Sequence, residues 1–289
     1  MHLAVIAAVR RLGGVAHRRE LLAEGLTRRQ LEAAWASGHV VRIRHGLYGL
    51  TDLPADVLRA ARTGGALSGA SSLAHRGAWV PPQPRLVVSV PHNARDLRDP
   101  DDAGSRLGAN RVDVLVLRDL TSFDRSSERL LASPSRAAAQ VLLHEPPEHA
   151  AAIVDSALRL VSRHRPDLDE VARLLATRRS AQGLVTSLDA RAESGTESVA
   201  RLLLARDGIR AEPQVWLDDH IRVDLLIDGW LVIECVSVEH HSTPADFNRD
   251  RERIVRITEL GFVVLELAYA QVLFDWPGAR RAVGTLLGR

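Results

Sequence analysis

Apolar residues recur at helical spacing at the start of this chain and alternate at strand spacing toward its end. Leu3 to Leu12 predicts a short helix stopped by Gly13-Gly14, and His17 to Glu24 a second one stopped by Gly25; glycine enters the left-handed conformation that ends a helix at little cost. Thr27-Arg28-Arg29-Gln30 then has the S/T-x-x-E/Q form of a capping box. Leu31, Ala34 and Trp35 recur at i, i+3 and i+4 before Gly38 ends a third helix. Val41 and Ile43 alternate with Arg42 and Arg44, His45-Gly46 turns the chain, and Leu47-Tyr48-Gly49-Leu50 returns as a partner strand. Three helices and a basic hairpin describe a winged helix-turn-helix.

From Asp56 to about Ala190 the pattern says less. Arg85 to Val90 and Val112 to Leu117 read as strands, with loops at Pro81 to Pro84 and Pro91 to Ser105 and helices at 134–144, 147–163 and 167–178. The last hundred residues are more explicit. Thr196 to Ala205 reads as a helix opened by Ser194 and closed by Gly208, and strands follow at Pro213 to Leu217 and Ile221 to Ile227 around Asp218-Asp219. Asp228-Gly229 is a two-residue hairpin signal that pairs Val223 to Ile227 with Trp230 to Cys235. Thr243, Pro244 and Asp246 supply an N-cap, a first-turn proline and an N3 acid for a helix that runs to Leu260 and stops at Gly261. A buried strand, Phe262 to Leu267, and C-terminal helices close the chain. The fold expected is α/β of the α+β kind, in three segments: residues 1–52, a connecting α/β region over 53–190, and an αβββαβ domain over 191–289.

Composition narrows the chemistry. The chain has 289 residues, 46% of them hydrophobic, enough for about two cores rather than a disordered polymer. It contains one cysteine, so no intramolecular disulfide forms, which fits a reducing compartment. No apolar run reaches the ~18 residues of a spanning helix, and the start lacks a signal-peptide charge pattern, so a cytoplasmic protein without membrane contact is expected. All 38 basic residues are arginine, which removes mechanisms that need a catalytic lysine. Net charge is only +2, but residues 1–50 hold 8 Arg against 3 Glu while residues 191–289 hold 12 Arg against 16 acids. A polyanion is therefore expected to meet the first 50 residues, with Arg28 and Arg29 in the first turn of the recognition helix and Arg42 and Arg44 on the wing. The bland reading is a small helical domain with a solvated basic face.

Leu231 to Pro244, LVIECVSVEHHSTP, gathers the candidate chemistry of the C-terminal part. Alternation puts Glu234 and Val236 on one face of a strand and Cys235 on the other, while Asp224 approaches from the hairpin partner. Two carboxylates on adjacent strands are hard-oxygen donors suited to Mg²⁺ or Mn²⁺. Such an ion polarises a phosphodiester and lowers the pKa of an attacking water. Each residue has a plainer reading: Glu197, three after Ser194, completes a capping box; Cys235 is a buried inert thiol; Arg249, Arg251, Arg253 and Arg256 are a solvated helix face. Cys235 with His240 and His241 lacks a fourth spaced ligand for zinc. His75, His92, His144 and His149 are scattered and form no constellation.

Two resemblances add to this. GGVAHRRELLAEGLTRRQLEAAWASGHVVRIRHGLYGL resembles the N-terminal domain of AbiEi-family antitoxins, and Ala66 to His75 resembles the segment that follows it there; the likeness implies a DNA-binding autorepressor beside a nucleotidyltransferase-type toxin. Residues from about 193 to 289 resemble the PD-(D/E)XK, restriction-endonuclease-like fold, in the branch of the very short patch repair (Vsr) endonucleases. The matching residues are Glu197, Asp224 in RVDLLI, Glu234 in VIEC, His241 in HHS, and the run NRDRERIVRITELGFVVL. The likeness implies that Asp224 and the strand of Glu234 surround the metal, that His241 is the general base, and that Glu197 assists. Where relatives read E-x-D-G or E-x-K, this chain reads Glu234-Cys235-Val236-Ser237, so the second charged group is valine; Vsr enzymes themselves lack a charge there. The expectation is a protein that binds double-stranded DNA and carries a metal-dependent endonuclease domain with a weakened site. The alternative is a non-catalytic repressor or antitoxin with a degenerate nuclease fold. A homodimer is compatible with either.

Overall fold

The computed structural model describes residues 2–82, 84–120, 130–236 and 244–289; for residue 120 and residues 244–248 only the backbone is described. The chain forms two compact units, one of residues 1–76 and 82–140, the other of residues 77–81 and 141–289. Helices and small sheets mix in both, so the fold is mixed α/β.

The first unit opens with α1 (His2–Arg11), β1 (Val15–His17), α2 (Arg18–Ala23), α3 (Arg28–Ala36), β2 (Val41–Arg44) and β3 (Leu47–Gly49). The strands make an antiparallel sheet in the order β1-β3-β2. The arrangement fits a winged helix, and the cap of α3 is as the sequence predicts: Thr27 Oγ1 accepts from Gln30 N at 3.3 Å while Thr27 N donates to Gln30 Oε1 at 2.7 Å. Two local expectations need correction. The second helix starts at Arg18 rather than His17, because Val15 to His17 is taken into the sheet by pairing with Leu47 to Gly49, a long-range contact with no local signature. Trp35 is not part of the buried stripe: α3 buries Leu31 and Ala34, and Trp35 is 44% exposed with the Arg42 guanidinium 5.2 Å from its ring centre.

After the wing come α4 (Ala55–Thr63), β4 (Ala66–Leu67), α5 (Gly69–His75), β5 (Leu86–Pro91), β6 (Val114–Leu120) and α6 (Pro134–His144). β5 pairs parallel with β6 and antiparallel with β4. Val15, Ile43 and Leu47 of the wing sheet share one core with Val57, Ala60, Leu86 and Val88, so packing is continuous across residue 52. The other side of the wing sheet closes on α1 and α3 through Val5, Val9, Leu31 and Tyr48.

The second unit has α7 (Pro147–Leu158), α8 (Leu168–Leu174), α9 (Arg179–Val185), α10 (Gly195–Arg206), β7 (Ala211–Trp216), β8 (Arg222–Ile227), β9 (Leu231–Val236), α11 (Pro244–Glu259), β10 (Val263–Ala268), α12 (Tyr269–Phe274) and α13 (Trp276–Leu286). The helix expected over 147–163 ends at Leu158, the one over 167–178 ends at Leu174, and α9 follows it as a separate short helix that the pattern did not predict. From α10 the order is helix, three antiparallel strands, helix, strand, with the sheet arranged β10-β9-β8-β7 and β10 parallel to β9. Leu225, Ile227, Leu231 and Ile233 bury completely against Val199 and Leu203 of α10 and Trp276 of α13; each contributes roughly 1.5–3 kcal/mol by leaving water. On the other face Val232 meets Ile257 of α11. Asp155 of α7, fully buried, fixes that helix to α10 by accepting from Ser198 Oγ at 2.9 Å and Arg201 Nη2 at 3.0 Å. Burial still pushes its carboxyl above the ordinary value.

Candidate functional site

Two clusters carry chemistry, one in each unit. In the winged helix, Arg28 and Arg29 sit in the first turn of α3, just after the Thr27 cap, and are exposed. Arg18 and Arg19 open α2 beside them; with His17, Arg28 and Gly46 they line a surface depression of about 420 Å³. Among the described residues none of these four arginine side chains makes a hydrogen bond or an ion pair. Unpaired guanidinium groups on the first turns of two adjacent helices are placed to take phosphate oxygens. Arg18 and Arg19 were not among the residues singled out from sequence; the signal was present in HRRE, whose two arginines open a short helix.

The wing divides its two arginines. Arg42 is exposed, stacks on Trp35 and contacts His45 Nδ1 at 3.1 Å. Arg44 does not project as expected. A register shift between Arg42 and Arg44 turns it inward, where it is half-buried near the end of α4. A bulge places an extra residue on one strand and reverses which side the next side chain takes, and sequence alternation cannot foresee it.

In the second unit the β8–β9 hairpin sets the acids. Asp228 and Gly229 both have positive φ, 50° and 74°, and Trp230 N donates to Ile227 O at 3.1 Å, so the turn forms where Asp-Gly predicts it. Its length differs: Ile227 pairs with Leu231, making a three-residue connection instead of two. That one-residue change brings Asp224 level with Glu234, since Leu225 pairs with Ile233. Asp224 Oδ2 accepts from Cys235 N at 2.9 Å. Glu197 closes the group from α10, where Ser194 Oγ accepts from Glu197 N at 3.1 Å and Glu197 Oε2 accepts from Glu193 N at 2.8 Å. Glu197 is thus part of its helix cap and of the acid cluster together.

Two residues not foreseen complete the cluster. Gln214 donates from Nε2 to Glu197 Oε2 at 2.7 Å and to Asp224 Oδ1 at 3.4 Å. It lies in β7 between Pro213, which pairs with Leu225, and Val215, which pairs with Val223, and its φ is +55°. A non-glycine residue in that conformation costs on the order of 1 kcal/mol, and such strain concentrates at sites where a side chain must be aimed. Arg253 of α11 grips Glu234 with both nitrogens, Nη1 to Oε2 at 2.9 Å and Nη2 to Oε1 at 3.0 Å, and donates to Arg222 O at 2.6 Å. Of the arginine run predicted to be a solvated face, Arg253 is therefore an internal partner; Arg251 forks onto Glu266 at 2.7 and 3.1 Å.

Electrostatics follow from that geometry. Burial, then the charge of Glu234, pushes Asp224 up to about 6. Burial, then Asp224, raises Glu197; burial raises Glu234, with Arg253 acting against it. Burial pushes the Cys235 thiol far above its ordinary range, which suits an inert side chain. Among the described residues the donors do not fit a divalent cation. Both Glu234 oxygens are taken by a guanidinium, an amide stands between Glu197 and Asp224, and among the described residues no group of three His, Cys, Asp or Glu can hold a metal ion. Val236 ends β9 half-buried opposite Ala268 and adds no donor. His240 and His241 lie outside the described residues. Among the described residues no helix is long and apolar enough to cross a membrane.

Comparison with known proteins bears on the first of these clusters. Over 179 residues the chain is 31% identical to "Uncharacterized protein MT2308" of Mycobacterium tuberculosis strain CDC 1551 / Oshkosh and to "Uncharacterized protein Rv2248" of strain ATCC 25618 / H37Rv. That is 58% of this chain and 62% of each relative, so the chain spans less than two thirds of the proteins it matches. Residues 4–51, the winged helix with its four unpaired arginines, match the family model described as "Transcriptional regulator, AbiEi antitoxin".

Proposed function

We propose that this protein is a DNA-binding transcriptional regulator of the antitoxin type. The observation that carries the reading is the coincidence of the AbiEi match over residues 4–51 with a winged helix whose first-turn arginines are exposed and unpaired. Arg28 and Arg29 contact bases or phosphates in the major groove, Arg18 and Arg19 take phosphates, and Arg42 lies along the wing. A cognate toxin of the nucleotidyltransferase type is the protein partner that the family likeness supports. The test is a binding titration against the DNA upstream of the gene at several salt concentrations. Arg28→Ala with Arg29→Ala should weaken binding and reduce the slope of log K against log salt by about two. An unchanged slope removes the recognition-helix assignment.

The C-terminal αβββαβ segment is read as a PD-(D/E)XK-like fold that does not cleave. Its element order and the positions of Glu197, Asp224 and Glu234 support the likeness; the Glu234–Arg253 fork argues against cleavage, since it holds a carboxylate that a metal site would need. Supercoiled plasmid incubated with Mg²⁺ or Mn²⁺ should stay intact with wild type, Asp224→Ala and His241→Ala alike. Metal-dependent nicking by wild type that Asp224→Ala abolishes would restore the endonuclease reading.

A further inference from the structure

We infer that the first unit binds a small apolar carboxylate at the base of the wing, with Arg44 receiving the carboxylate, and that occupancy changes how the wing engages DNA. A cavity of about 240 Å³ lies there. Its polar lining among the described residues is entirely basic, Arg44, Arg95, His17 and His45, and no acid lines it. Leu47, Leu97 and Leu130 are among the apolar walls.

Arg44 is the reason to expect an anion. It ends β2 just beyond the register shift, is half-buried, and among the described residues its side chain makes no hydrogen bond and no ion pair. Burial, with Arg98 nearby, lowers its pKa from the usual arginine value. Asp96, the acid that acts on it, is bonded instead to Arg106 at 2.8 Å. Buried cations are ordinarily paired, because desolvating one alone is costly. The backbone makes room for this one: Gly64, with φ +118°, ends α4 where a Cβ would run into Arg44 Nη1. A guanidinium offers a planar fork that fits the two oxygens of a carboxylate. The rest of the cavity is apolar and smaller than the ~300 Å³ at which drug-sized sites begin, so the ligand is compact and has an apolar body. A DNA phosphate would leave those walls unfilled.

The walls also explain the coupling. Arg44, His45 and Leu47 flank the wing turn and His17 precedes α2, so a ligand there touches the parts that carry the DNA-facing arginines. This second half rests on the regulator reading above.

Calorimetry on the full chain with benzoate, benzamide and inorganic phosphate tests the site. Benzoate should bind saturably with a Kd of about 1 mM or tighter, the range a ligand of that size reaches. Benzamide and phosphate should each bind at least about tenfold more weakly, as should benzoate to Arg44→Gln, since each lacks the fork or the apolar body. Ala94→Trp, whose ring adds bulk to the cavity wall, should abolish benzoate binding while circular dichroism shows the fold kept. No benzoate heat in wild type, equal binding of phosphate, or unchanged binding in both variants overturns the proposal. Upstream DNA is then titrated with and without saturating benzoate. A change in DNA affinity supports the coupling, and benzoate binding with DNA affinity unchanged overturns it. DNA binding that is absent altogether overturns the regulator reading and the coupling, while calorimetry still decides the site.

Discussion

Arginine does opposite work at the two ends of this chain. In the winged helix, the side chains of Arg18, Arg19, Arg28 and Arg29 have no protein partner among the described residues; Arg19, Arg28 and Arg29 are exposed and Arg18 is half-buried. In the C-terminal αβββαβ segment the same residue type is turned inward or paired: Arg253 forks onto Glu234, Arg251 onto Glu266, and Arg222 meets Glu193 at 2.5 Å. The planar fork of the guanidinium suits both tasks, and a chain with no lysine must use it for both. What separates them is the partner the fold supplies. An unpaired cation is available to a polyanion; a paired one has already been neutralised, and an external phosphate must compete with a carboxylate held in place.

The largest effect that tests this contrast is on DNA affinity. Replacing Arg18, Arg19, Arg28 and Arg29 together by Ala should reduce the salt slope by about 3.6 and affinity near 0.15 M salt by about 1000-fold. Replacing Arg251 and Arg256 should leave affinity within about threefold, since their charge is already spent on Glu266 and Asp218. Fluorescence anisotropy on one duplex reads both sets, and equal losses from the two would break the comparison. Next in size is Arg253→Ala. It strands Glu234 beside Glu197 and Asp224, and breaking a buried pair from one side costs several kcal/mol. Arg253 is 36% exposed, so solvent screening reduces the expected loss to about 1–2 kcal/mol in chemical denaturation. The loss should be larger at pH 8 than at pH 5, where protonation relieves the stranded acids. A loss that does not vary with pH would mean that Arg253 acts by packing alone.

What could be read from the sequence was what neighbouring residues decide. The Thr27 capping box and the Asp228-Gly229 turn are local contests between a side chain or a left-handed residue and the adjacent backbone, and both are present. The candidate site itself needed long-range information. Glu197, Asp224 and Glu234 were visible as acids interrupting apolar patterns, but the register that sets Asp224 opposite Glu234 depends on a one-residue hairpin length. Gln214 is aimed by a positive φ inside a strand, and Arg253 reaches Glu234 across 19 residues of chain. Neither has a spacing that sequence periodicity reports. Arg44 shows the same limit in the first unit: alternation sends it outward with Arg42, and a bulge decided elsewhere in the sheet turns it in.

Asp224→Asn asks whether the acid cluster carries uncompensated charge. The Asp224 pKa is about 6 in the folded chain, raised from 3.8. The folded state therefore holds that proton more tightly than the unfolded state. Its stability contribution is fully present below pH ~4 and is lost as pH rises through 6. At pH 7.5 the ionised carboxylate is a net cost, and asparagine, which still offers an oxygen to Cys235 N, removes it. Stability should rise by about 1 kcal/mol at pH 7.5, and the fall between pH 4 and 6 should flatten. Urea titrations at pH 5 and 7.5 read the effect, and a variant less stable than wild type at pH 7.5 would mean that the charge is compensated.

The smallest expected effect returns to the winged helix. Thr27→Ala removes the oxygen that accepts from Gln30 N at 3.3 Å and leaves one amide of the α3 first turn without its cap. Thr27 is exposed, so water replaces part of the bond, and the loss should be about 0.5–1 kcal/mol in chemical denaturation. Thr27→Ser keeps the oxygen and should restore most of it. The same substitution separates helix order from charge. Arg28 and Arg29 remain, so the salt slope of DNA binding should be unchanged while affinity drops slightly through fraying of the first turn. A reduced slope after Thr27→Ala would show that the cap, and not only the two guanidinium groups, determines how many phosphates the helix engages.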